Sequence, residues 1–550
     1  MPRKNSLIRS KEVWAGNLLA ERIMLSRWRS PSGAAAAGER SGNSEVMQTK
    51  APNSEKWRRV LQEAHKREDQ TASRDLAETD YLLGTIGGPS WNESLAPLQQ
   101  LWDKAITLQH LAEHGRAPLV NSNPQEVARA SIGRIRQQLN KSQRQPLLWS
   151  ELARHHLILG QDNQAISAMT CALQLARGHA YITRAAARLY VHLDKSDEAL
   201  SIIRRNPLFR SDPRLMASEI SLSSGTRISG AWHAAAQRII TNSNYRPSFV
   251  GELEAALATV EMTNGKHKRA RTLFSSSMEH PSENSLAQAQ WAKERDAKII
   301  IPPSAWNVPG SDEARALAAR VDHNWDLVLN AAETWLDAEP FSADPAAMAS
   351  FASFTFEQQQ RAEIIATRGL AANPEDALLL NNRSVARAYQ GNTNGALDDV
   401  RRGLEIAPAS DKNDPVLFAT LGLTAYRSGD SQTGRSCYAY AIQILAKERQ
   451  PRAAALGALF WLREEFRSAP GASTDELFEA VKKAIPRITR GAPSPEIDSM
   501  MEALERERGQ SSMPFAEPSF THLQIADLAD RFMPGRELDV LPIQPVVAPA

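Results

Sequence analysis

"LLLNNRSVARAYQGNTNGALDDVRRGLEIAP", residues 378–408, carries a glycine at 391, a small residue five positions later at Ala396 and a proline at its end, Pro408. Those marks describe two antiparallel helices joined by a tight turn. Glycine tolerates the positive φ that such a turn needs, a small side chain lets the second helix approach the first, and proline ends the pair and opens the next. The marks recur on both sides. Pro340, Pro374 and Pro408 are 34 residues apart, and each follows an amphipathic stretch: Trp325 to Ala338, Ala362 to Ala372, and Ala396 to Ile406. Ala165 and Ala199, which begin apolar runs, are also 34 apart. Gly160, Gly225, Gly265, Gly391 and Gly429 stand five residues before Ala165, Gly230, Ala270, Ala396 and Gly434. A fixed period of this length is the mark of a repeat architecture.

This pattern resembles the tetratricopeptide repeat (TPR) family over roughly 146–445. In residues 146–176, Trp149, Leu152, Ala153, Gly160, Ala165, Met169 and Ala172 fall on the family's large and small positions; in 415–445, Phe418, Leu421, Gly422, Gly429, Gly434, Tyr438 and Ala441 do. Two departures stand out. The copy at 344–374 and the unit ending at Pro340 lack the turn glycine, and Arg383 and Arg387 occupy positions where the pattern has large apolar residues. The resemblance implies an all-α fold, an alpha-alpha superhelix of stacked hairpins whose concave wall is built from the first helix of each pair. It also implies a scaffold that binds protein segments there.

Composition agrees with that class. The chain has 550 residues, 42% hydrophobic and only 6% aromatic, which favours helix over sheet. A net charge of +2 gives no global field toward nucleic acid or membrane. Cys171 and Cys437 are too few for a disulfide framework. No apolar run approaches the roughly 20 residues of a membrane span, and the stretch Val13 to Leu25 is interrupted by Glu21 and Arg22. A cytoplasmic location is expected.

The period divides the chain. Residues 1–53 read as a disordered basic arm, with nine Lys/Arg against four Asp/Glu in the first 50. Residues 54–120 read as a helical cap, 121–297 as a first array, 298–312 as a Pro-rich linker and 313–450 as a second array. A rigid insertion in one continuous superhelix is the alternative reading of 298–312. Residues 451–509 read as capping helices, and 510–550 as a mostly disordered tail with one amphipathic segment, "SFTHLQIADLADRFMPG" (519–535). There Phe520, Leu523, Leu528 and Phe532 lie near helical spacing. That segment is a candidate to dock back on the array, to recruit a second protein, or to pack as a final helix.

No catalytic constellation is legible: there is no Gly-rich phosphate loop, no nucleophile elbow and no zincin order. His110 and His114 stand four apart without a third ligand and read as an ordinary pair. His155 and His156 read as surface or groove residues, and Glu464–Glu465 as a solvated helix face. No metal or cofactor is expected. Position within the repeat assigns Arg154, Tyr181, Arg184, Arg188 and His192 to the wall of the first array. There, guanidiniums four apart can hold a partner's carboxylate or pair with neighbouring acids. In the second array the same wall carries Phe351, Phe354, Tyr389 and Tyr426, which can form pockets for a peptide or serve as core. The Lys and Asn pattern of chaperone-binding TPR clamps is absent. The leading expectation is a non-enzymatic scaffold with protein or peptide partners. The alternatives are a nucleic-acid-associated regulator using the basic arm, and an enzyme with a site in the N-terminal helical region.

Overall fold

The computed structural model describes residues 124–141, 143–223, 230–241, 245, 247–308, 310–406, 414–448, 450–468, 472–488, 495–507 and 521–533. The expected arm, N-terminal cap, His110, His114, Gly225, Pro408 and Phe520 lie outside these. The described residues form α-helices and one 3-10 turn, with no strand among them. The all-α, hairpin-by-hairpin fold is the expected one.

Contacts divide the described chain into two units, one comprising 124–322 with Asn330–Pro345, the other His323–Leu329 with 346–533. The first unit opens with α1 (Pro124–Lys141). Hairpins follow: α2 (Pro146–Ile158) with α3 (Asp162–Leu175), α4 (Ala180–His192) with α5 (Ser196–Arg205), α6 (Pro213–Ser223) with α7 (Gly230–Ile240), and α8 (Pro247–Thr263) with α9 (His267–Ser277). Then come α10 (Glu283–Lys293), the 3-10 turn Pro303–Asn307 and α11 (Asp312–Val321). Residues 298–312, expected to be a linker, carry buried Ile299, Ile301 and Ala305. The 3-10 turn Pro303–Asn307 lies among them, between α10 and α11, and the division between the units falls within 323–345.

Helices α12 (Trp325–Ala338) and α13 (Ala343–Thr355) each contribute residues to both units. The second unit continues with α14 (Gln359–Ala372), α15 (Ala377–Tyr389), α16 (Thr393–Ile406), α17 (Pro415–Arg427) and α18 (Ser431–Lys447). It ends with α19 (Pro451–Ser468), α20 (Ala472–Ile488), α21 (Pro495–Glu507) and α22 (Thr521–Phe532).

The hairpin turns share one backbone solution. Gly160, Gly265, Gly391 and Gly429 have φ of 67, 76, 80 and 91°. Each donates to a carbonyl in the last turn of the first helix, and the next residue donates to the carbonyl one residue further back, as Asn392 does to Arg387 at 2.9 Å. This pair of hydrogen bonds satisfies two of the orphan carbonyls of the helix end. Where the repeat lacks glycine, the same position is taken by Asp194, His323 and Glu357, at φ 57, 51 and 57°. The small residues do what the sequence implies: Ala165, Ala199, Ala270 and Ala396 are buried. A Cβ added to Gly434 would stand 2.5 Å from the Tyr426 ring. Aspartates cap the following helices, with Asp376, Asp414 and Asp430 accepting from Leu379, Val416 and Thr433.

Arg383 and Arg387 replace apolar packing with charge. Arg383 grips Asp399 on α16 through Nε and Nη2 at 2.8 and 2.6 Å, while Arg387 joins Glu363 and the same Asp399 at 2.8 and 2.9 Å. The hairpin keeps its geometry because the buried carboxylate is fully engaged.

Candidate docking surfaces

The basic face expected on the first array is built by α2 and α4, the first helices of their hairpins. The four-residue spacing puts Arg184 and Arg188 on one side of α4. These side chains are engaged within the unit. Arg188 donates through Nε and Nη2 to the two carboxylate oxygens of Glu339 at 3.1 and 3.3 Å. Arg184 donates to Glu252 on α8 at 2.5 Å, and Asn284 on α10 donates to the same oxygen at 3.0 Å. Arg154 donates to the Ala338 carbonyl at 3.1 Å. The His192 ring meets Phe341 edge-on with centroids 5.4 Å apart, and Tyr181 lies 6.2 Å from His179. Glu339 and Phe341 are 1% and 0% exposed, so residues 338–341 cover this face. Burial pulls the Arg188 guanidinium down, but the Glu339 carboxylate outweighs it and the net shift is upward. The chemistry anticipated here, a guanidinium fork on a carboxylate, is present with an internal carboxylate.

The aromatic residues of the second unit divide into two groups. Phe351 is 46% exposed and rests edge-on against Trp325, centroids 5.3 Å apart. Phe354 meets Tyr389 in the same way at 5.0 Å. Arg427 lies 4.5 Å above the Tyr389 ring, with Arg463 and Arg467 at 5.7 and 5.8 Å. Together these rings form an aromatic strip on α12, α13 and α15 bordered by guanidiniums. Tyr426 lies deeper, in a buried cluster against which Tyr389 also packs. It is 1% exposed in a cluster with Tyr438 and Trp461, receives a hydrogen bond from Trp461 Nε1 at 2.9 Å and donates to Glu465 at 2.5 Å. Burial and that carboxylate both push its hydroxyl upward, so it stays protonated.

Two readings need correction. Glu464 and Glu465 are not a solvated face: they are 0% and 4% exposed, paired with Arg427 at 2.8 Å and Arg435 at 2.6 Å. A carboxylate pair on a surface helix and one facing two arginines of the preceding hairpin look identical in sequence. His156 is likewise buried, its Nδ1 2.6 Å from Gln161 Oε1. Burial, with Arg154 and Arg134 nearby, lowers His155 to about 3. His156 and Cys171 line a cleft of about 600 Å³ between α1, α2 and α3. Among the described residues no cluster of three or more His, Cys, Asp or Glu is placed to hold a metal, and no helix is long and apolar enough to cross a membrane.

Sequence reasoning missed Glu252 and Glu339, which answer Arg184 and Arg188. Neither carries a local signal, since their partners lie 68 and 151 residues away.

No family model matches the chain, and no curated protein matches it. Among solved structures, the APC/C hetero-tetramer Cut9-Hcn1 aligns over 88% of this chain and 97% of that one, at 12% identity and a TM-score of 0.29, a likeness that assigns no family and no function.

Proposed function

We propose that the chain is a non-enzymatic scaffold that captures a protein segment on the aromatic strip of its second unit. The observation that carries this reading is Phe351, a large ring 46% exposed beside Trp325 on the first helix of a hairpin. An exposed ring on a first helix, backed by the half-buried rings of Trp325, Phe354 and Tyr389, supplies contact area at low entropic cost, which is what peptide recognition needs. Leu327, 55% exposed, lies on α12 two residues beyond Trp325. A partner segment that seats an apolar side chain against Phe351 and Leu327 matches the strip, whose guanidiniums Arg463 and Arg467 already face Glu507 at 3.1 and 3.7 Å. The basic face of the first array supports the reading less, because Glu339 and Glu252 already take its guanidiniums.

The test is affinity capture from the native source with the full chain and its Phe351→Asp variant. The proteins retained by the wild type are expected to fall at least several-fold with the variant, while melting and helicity stay the same. An unchanged set of captured proteins would remove the strip from consideration.

A further inference from the structure

Helix α22 lies 13 residues beyond the end of α21. It does not extend the stack: α19, α20 and α21 pack on one another, whereas α22 sits on α16, α17 and α18 of earlier hairpins. Its inner face is Ile525, Leu528, Ala529 and Met533, all 4% exposed or less, at the i, i+3, i+4, i+8 spacing of an amphipathic helix. Gln524, Asp527, Asp530 and Arg531 are exposed on the other side. Beneath it lie Val400, Leu404, Leu417, Phe418 and Leu421, in one apolar cluster with it. This cluster is separate from the one that holds Tyr426. The helices that form the floor are already held by their own hairpins, so the site does not need α22 to exist. With α22 in place Val400, Leu404, Leu417, Phe418 and Leu421 are 1% exposed or less, and apolar surface bared by its departure favours another apolar cover.

We propose that the face formed by α16, α17 and α18 is a helix-receiving site occupied in cis by α22, and that it takes in trans a partner's amphipathic helix with the same apolar spacing. The α22 footprint specifies that partner: one short helix, four apolar anchors and a polar outer face. The tether keeps α22 at an effective concentration on the order of millimolar, so a free helix must bind tightly or α22 must be loosened before exchange occurs. The proposal extends the scaffold reading to a second surface. Its test is independent of the aromatic strip, because the probe is the chain's own segment.

The experiment uses a fluorescein-labelled synthetic peptide of residues Thr521–Met533, titrated by anisotropy into the full chain and into a full-length Leu528→Asp, Met533→Asp variant. The variant, whose own helix no longer competes, is expected to bind the peptide about tenfold or more tightly than the wild type does. A peptide carrying Leu528→Asp should not bind either chain. Absence of binding to a folded variant, or equal binding to both chains, overturns the proposal. Should the variant fail to fold, hydrogen exchange on the unaltered full chain decides. Excess unlabelled peptide is expected to accelerate exchange of the chain's own 521–533 several-fold, and unchanged exchange overturns the proposal.

Discussion

At the residue scale, the turn positions carry the clearest physical lesson. Among the described residues, seven adopt the left-handed conformation at hairpin turns, and three of them, Asp194, His323 and Glu357, are not glycine. A side chain in that region costs about 1–2 kcal/mol through the clash of Cβ with its own carbonyl, and Gly removes the clash at the expense of unfolded-chain entropy. Glu357→Gly is therefore expected to raise stability by about 0.5–1 kcal/mol in urea melts. Its side chain is 78% exposed and only 3.6 Å from Arg463, so little is lost with it. A destabilised variant would show that the Arg463 contact outweighs the strain. The four glycine turns were legible because glycine announces the conformation. The other three were not, because Asp, His and Glu carry no such mark. Only the phase locates them: 194 follows 160, 357 follows 323 and 391 follows 357, each by 34. Arg383 and Arg387 were visible as departures, but their resolution by Asp399 depended on a partner in the next helix.

At the scale of elements, close approach rather than propensity sets where helices cross. Gly422 and Gly434 face each other between α17 and α18, and a Cβ on Gly422 would stand 3.0 Å from the Gly434 carbonyl. The repeat's small position is a steric requirement there. Gly133 on α1 is also helical, yet nothing lies within 4 Å of its added Cβ. The same substitution should thus act with opposite signs. Gly133→Ala is expected to stabilise by up to about 1 kcal/mol through helix propensity. Gly434→Ala is expected to destabilise by about 1–3 kcal/mol, because the Tyr426 ring must move within a packed core. Thermal melts of the two single variants check this, and a neutral Gly434→Ala would mean that α17 and α18 can part without cost. Hairpins of this kind were legible from period and residue size. The segment after α10 was less so: Pro302 and Pro303 mark the end of the period, but not that Ile299, Ile301 and Ala305 are buried between α10 and α11.

At the scale of the whole molecule, a repeat array is expected to be stabilised by nearest neighbours alone, and the first unit departs from that. Arg188 and Glu339, 151 residues apart, form a buried two-pronged ion pair, and Phe341 closes on His192 beside it. This is why the basic face was half legible: repeat position located Arg184 and Arg188, while the carboxylates that answer them came from long-range folding that no local pattern encodes. The pair makes the stability of α4 depend on residues far down the chain, which a double-mutant cycle can measure. Glu339→Leu leaves a buried guanidinium with weaker help from Asp344 and Glu313, so the loss is expected near the lower end of the range for broken buried pairs, about 3 kcal/mol. Arg188→Met combined with Glu339→Leu removes the stranded charge and is expected to recover most of that loss, as an apolar pair often matches a buried ionic one. Urea denaturation of the wild type, both single variants and the double variant gives the coupling directly. Additive losses would mean that the two side chains act independently and that the unit behaves as an ordinary nearest-neighbour array. A coupling of about 2 kcal/mol or more would show that Glu339 serves as an internal ligand of the first array, which any external carboxylate must displace to reach Arg188.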